Sequence, residues 1–230
     1  MKSSYAIILS VFLIFKLGAC ATGPKIKPEN PQSSVVGITV NYQTPITLPF
    51  MWYPADFIYF VKLSDGENIL EGTNLIKANY SRLENLYLLN ATPGRYIAVA
   101  AGYINQGTGI GIGPFSIRID SEHVLLFPES LVKQTEVSVQ SNQVCYMGQY
   151  NVRQNLSFSD LDATQTYYYD VVVPEHLGKE FKRETDMAIR HGSICEAKSA
   201  VKDEESEKKF LEATRSNFKG TDWAAILPTD

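Results

Sequence analysis

Histidine and cysteine are scarce in this chain, three of each in 230 residues. A zinc site needs three or four ligands, and a helical pair of histidines sits one turn apart. His123, His176 and His191 stand 53 and 15 residues from one another. That spacing excludes the common metal motifs, and no cofactor is expected. No Gly-x-Ser-x-Gly places a serine on the strained turn a hydrolase uses, and His191-Gly192-Ser193 offers adjacency alone. Carboxylates are plentiful, yet nothing selects a pair for glycosidase chemistry. Basic charge is neither in excess nor clustered: 21 Lys and Arg face 25 Asp and Glu. A protein that grips a phosphate backbone needs the opposite balance, so no nucleic-acid partner is expected. These absences point away from an enzyme. No stretch beyond the first few residues approaches the ~20 apolar residues that span a bilayer.

What is present begins at the amino end. Lys2 supplies positive charge, residues 6–15 are apolar but for Ser10, and Leu17-Gly18-Ala19 leads into Cys20. Charged, apolar and small-residue segments in that order form a secretory signal. With the cysteine at its end, the signal resembles the lipobox of bacterial lipoproteins. That resemblance implies cleavage before Cys20, a diacylglycerol thioether on its sulfur, and a membrane partner held through the lipid. Two or more acyl chains anchor a protein stably where one does not. Ala21 follows Cys20, so the resemblance implies the outer membrane, with the protein facing the periplasm or the exterior. Residues 20–34 carry Pro24, Pro28 and Pro31 among polar residues, which reads as a semi-stiff tether lifting the domain off the bilayer.

With 13 Tyr and 11 Phe, the remainder can fill a sizeable core. Strands are expected over 35–42, 57–63, 84–89, 96–104, 115–119, 136–139, 144–152 and 167–173. Turn signals at Asp65-Gly66 and Thr92-Pro93-Gly94 separate some of them. This spacing indicates an antiparallel sandwich over 35–173 rather than a parallel sheet. Residues 174–230 change period and read as helical, with helices over 175–190 and 203–218 packed on the sandwich. The acidic run Asp203, Glu204, Glu205 and Glu207 fits a helix start. Trp223, Ile226 and Leu227 read as an apolar hook that docks the carboxyl end.

Three stretches, 87–100 with Pro93-Gly94-x-Tyr96, 136–150 with Cys145-Tyr146-Met147-Gly148, and 210–227 with Trp223, resemble uncharacterised exported lipoproteins of the kind abundant in spirochaetes. The resemblance implies a mainly β fold, an immunoglobulin- or transthyretin-like sandwich with two C-terminal helices. It carries an address and no activity.

Three features remain as candidate sites. Cys145 and Cys195, in an oxidising compartment, either form a disulfide or stay as two separate buried thiols. Gly107, Gly109, Gly111 and Gly113 alternate with Thr108, Ile110 and Ile112. They read as an edge strand or loop packed closely, or as a flap that touches a ligand. The run Phe50-Met51-Trp52-Tyr53-Pro54 lies between two prolines. It is either core filling or an exposed aromatic loop, with Trp52 and Tyr53 as its binding residues. The expected function is a lipid-anchored envelope module that binds or scaffolds a protein or glycan. An envelope hydrolase or small-ligand carrier is the alternative.

Overall fold

A computed structural model of the protein describes residues 23–63, 72–105, 110–112, 115–117, 121–155 and 194–227. Cys20, the Asp65-Gly66 turn, the strand expected over 167–173, the helix expected over 175–190, and His176 and His191 lie outside the described residues.

The protein is mainly β. The described strands are β1 (Ser34–Gln43), β2 (Tyr53–Pro54), β3 (Phe57–Leu63), β4 (Gly72–Lys77), β5 (Tyr80–Arg82), β6 (Asn85–Ala91), β7 (Gly94–Asn105), β8 (Ile110–Ile112), β9 (Phe115–Ile117), β10 (Ser121–Leu126), β11 (Val137–Val139), β12 (Val144–Asn155) and β13 (Ile194–Val201). Eleven of them form one sheet, ordered β4-β3-β7-β10-β13-β12-β1-β6-β5, with β11 on the edge of β7 and β2 on β1. Among the described residues, strands β8 and β9 pair with each other as a separate two-stranded sheet.

The long sheet has two halves, joined where β10 meets β13 through the single pair Leu126 and Ile194. The buried thiol of Cys195 donates to the Leu126 carbonyl at 3.0 Å and reinforces that joint. Side chains from both halves share one core: Val36, Ile38 and Val40 of β1 and Met147 and Tyr150 of β12 join Phe60, Val99 and Leu125. Strand β1 is buried on both faces because successive residues point opposite ways. Val36, Ile38 and Val40 enter that core, and Val35 enters a second cluster on the outer face.

Where β7 loses β10 as a neighbour, the chain leaves the sheet as a short helix, Glu129–Gln134. The buried Thr135 hydroxyl then accepts from the amide of Ala98 at 2.8 Å, standing in for the missing strand. A buried amide left without a partner would be costly.

Two sequence expectations about this body need correction. The sheet is mixed: β1 runs parallel to β12, and β10 to β13, while the other pairings are antiparallel. Strands far apart in sequence are free of the hairpin geometry that forces an antiparallel pair. Residues 194–201, expected within a helical segment, form β13 near the middle of the sheet. Its sequence ICEAKSAV buries Cys195 while the residues from Lys198 onward are exposed, so it carries little apolar alternation.

The C-terminal helix, Glu204–Phe218, starts where its acidic run lies. Asp203 caps it by accepting from the Ser206 amide at 2.8 Å, and the Ser206 hydroxyl lies 3.1 Å from the Asp203 amide. These bonds hold the Asp203 carboxyl below its usual range. The tip of the Phe210 ring presses on Gly37: a Cβ there would meet its Cζ at 2.1 Å. Tyr87, Tyr146, Phe218 and Trp223 complete the outer cluster.

Residues 23–33, expected to be a free spacer, are docked on the body. The buried Trp223 indole donates to the Ile26 carbonyl at 2.6 Å. Asn90 clasps the segment twice, accepting from Glu29 N at 2.9 Å and donating to Lys27 O at 3.0 Å. Pro24 is buried, and Gly23 sits so close to Thr221 that a Cβ would fall 2.4 Å from its methyl. The segment has few apolar side chains, but backbone carbonyls and amides serve as its attachment points.

Candidate functional site

Tyr42 stands near the far end of β1, opposite Tyr53 of β2. Their rings tilt together with centroids 5.9 Å apart. Tyr103, near the end of β7, stacks on Tyr42 at 4.3 Å with 7° between planes. On its other side it stacks on His123 of β10 at 4.8 Å. Tyr103 and His123 are direct cross-strand partners, and such pairs bring side chains together on one face. The Tyr103–Tyr42 stack therefore joins one half of the sheet to the other, and the four rings form a continuous row.

Beside this row lies an open cleft of about 400 Å³. Its walls are Tyr42, Tyr53 and Tyr103 with Pro45, Ile46 and Ile104, and Thr44, Thr47, Asn105 and Gln154 supply polar groups. No lining side chain is charged. Burial, then the neighbouring Tyr103, Asp56 and Tyr53, pushes the Tyr42 hydroxyl up to about 12. Burial likewise raises Tyr103. Both phenols stay protonated at neutral pH, so the lining offers stacking faces, hydroxyls and amides rather than a group that exchanges protons there.

The loop that forms one wall is tied down from beneath. Its polar atoms turn inward: the amide of the buried Gln43 donates to Leu48 O at 2.9 Å and to Met51 O at 3.3 Å. Thr44 N donates to the Thr47 hydroxyl at 2.7 Å, and Met51 N to Leu48 O at 2.9 Å. Its apolar side chains turn outward. Ile46 is 96% exposed, Phe50 76% and Leu48 55%. Three large apolar side chains of one short loop therefore face water.

Tyr53, singled out in the sequence, lines the cleft, and Trp52 is half-buried in the same loop. Gly111 belongs to the separate β8–β9 hairpin, opposite Ser116; Gly107, Gly109 and Gly113 lie outside the described residues. Tyr42, Tyr103, Asn105 and Gln154 were not foreseen. They come from three strands, β1, β7 and β12, of which only β1 and β12 pair directly, and two strands separate β7 from β12 in the sheet.

Cys145 and Cys195 are free thiols and do not bridge. Register decides this: Cys195 faces Gln154 on β12, nine residues beyond Cys145 on the same strand. At ~3.3 Å per residue the two lie roughly 30 Å apart, whereas a disulfide needs Cα atoms within about 7 Å. Burial pushes the Cys145 thiol up to about 11 and raises Cys195 further, so neither is poised as a nucleophile. Among the described residues no three His, Cys, Asp or Glu come together as a metal site, and no helix is long and apolar enough to cross a membrane.

Comparison with protein families, with curated proteins and with solved structures finds no match.

Proposed function

We propose that this chain is a lipid-anchored envelope lipoprotein of the outer membrane, acylated at Cys20, whose immunoglobulin- or transthyretin-like sandwich binds an uncharged or weakly polar partner. The observation that carries the reading is the rigid loop that exposes Ile46 and Phe50 next to an uncharged, tyrosine-walled cleft. Stacking faces beside hydroxyls and amides suit a sugar ring or a peptide rich in proline and aromatics. Burying the loop's apolar side chains supplies affinity at about 25 cal/mol per Å² before the costs of association.

A photo-crosslinking residue at position 50, compared with one at the exposed Glu212, tests this in a cell that anchors the protein. The expected outcome is a discrete adduct at position 50 that disappears with Ile46→Asp. Equal, diffuse labelling at both positions overturns it. A cleft of this volume also suits a small-ligand carrier. Co-purification of a small molecule, lost with Tyr53→Ala and with no macromolecular adduct at position 50, decides for that reading instead.

A further inference from the structure

The docked amino-terminal segment fixes which end of the protein meets the bilayer. This rests on the proposed acylation of Cys20. From Cys20 to Ser34 there are fourteen Cα steps, and a free segment of that length could hold the body roughly 50 Å from the membrane, at up to about 3.6 Å per residue. Residues 23–33 are not free. Trp223 and Asn90 hold the carbonyls of Ile26 and Lys27 and the amide of Glu29, and Gly23 is wedged against Thr221. Only three Cα steps then separate the lipidated residue from a point fixed on the body, a reach of about 11 Å.

We infer that the surface around Gly23 and the Trp223 hook faces the lipid surface at close range, and that the aromatic cleft lies at the opposite end. Trp223 shares the outer cluster with Val35, near the start of β1. The cleft begins at Tyr42, seven residues along that strand and roughly 23 Å away by strand rise. The C-terminal hook is thus the clasp of the anchor: it converts a long tether into a short one and turns the binding loop outward.

The two tryptophans sit at the two ends and serve as reporters. The probe is the full chain from a bacterial host, reconstituted into phosphatidylcholine vesicles carrying a dansyl headgroup lipid. Intact mass of the membrane-extracted protein comes first; no acyl mass on Cys20 overturns the anchor reading itself. With acylation present, Trp52→Phe removes the remote donor, so the mean efficiency of transfer to dansyl is expected to rise. A fall means that the loop lies nearer the bilayer and overturns the orientation alone.

The clasp is tested separately, without lipid, by trypsin at Lys25, since Lys27 precedes a proline. Asn90 has a left-handed φ of 63°, so Asn90→Gly removes the clasp at a residue glycine accepts readily. Trp223→Phe keeps an aromatic ring in the core and loses the indole donor. The double variant is expected to be cut after Lys25 at least tenfold faster than wild type, with unchanged circular dichroism. Equal rates overturn the clasp.

Discussion

Two groups of tyrosines, one under the C-terminal helix and one beside the cleft, are built from the same side chain to opposite ends. Under the helix, Tyr87 is fully buried, and its hydroxyl receives the Asn217 amide at 2.9 Å and lies 3.2 Å from the Thr214 hydroxyl. Tyr146 stacks on Phe210 at 4.5 Å, and Trp223 closes the end. Beside the cleft, the rings of Tyr42, Tyr53 and Tyr103 form a row that no helix among the described residues covers, and Tyr53 remains 38% exposed. The difference is the cover. Where a helix supplies polar partners for the hydroxyls, aromatic rings become core. At the end of β1, a tied-down loop turns its apolar side chains outward, and Tyr53 stays exposed beside it.

The sharpest way to break this comparison is to truncate the covered side. Trp223→Ala removes a fully buried indole, and loss of stability of about 3–5 kcal/mol is expected, as for large-to-small changes in cores. Urea unfolding followed by circular dichroism measures it. A loss below 1 kcal/mol would mean that the hook is ornamental and that the two clusters do not differ in kind.

Gly37→Ala comes next. Its Cβ would meet Phe210 at 2.1 and 2.8 Å, so the ring must shift off β1 and the helix with it. Overpacking of this sort costs about 1–3 kcal/mol. The same experiment reads it, and a second-site change Phe210→Leu should recover part of the loss by making room.

Alkaline pH probes the uncovered row. The Tyr42 hydroxyl is held at about 12, against 10.0 for an ordinary tyrosine. A group raised in the folded state contributes its stability fully below the unfolded value and loses it as pH rises through the folded one. Wild type should therefore lose stability more steeply between pH 10 and 12 than Tyr42→Phe. Parallel curves would show that the row is wetter than its stacking implies.

How much of this was legible beforehand follows the distance over which each feature is built. The capped helix start at Asp203, strands such as β3 and β7, and the hook at Trp223 are local patterns, and each occurs where the sequence indicates it. The prolines around Phe50-Met51-Trp52-Tyr53 left core filling and an exposed loop both open, and the structure exposes Phe50 while it half-buries Trp52. Strand β13 was not, because it buries little but Cys195, and the clasp on residues 23–33 was not, because it uses backbone atoms that every residue has. Tyr42 and Tyr103 meet only because β1 and β7 fall on opposite halves of a sheet closed through a single pair of residues. The choice between a disulfide and two separate thiols stayed open in the sequence for the same reason: a count of cysteines carries no register.

The smallest expected effect on stability sharpens the comparison most. Phe50→Asp, and likewise Ile46→Asp, alters side chains that are 76% and 96% exposed. Changes at such positions leave stability within about 0.5 kcal/mol, and retention on a hydrophobic column should fall. If either variant instead unfolds the protein, the loop belongs to the core and the surface reading fails. If stability holds in Ile46→Asp while the adduct at position 50 is lost, Ile46 is kept for contact rather than for folding. A side chain that contributes nothing to the fold and still faces water is best explained by what it touches, and among the described residues Ile46 is such a side chain on the cleft wall beside Tyr53.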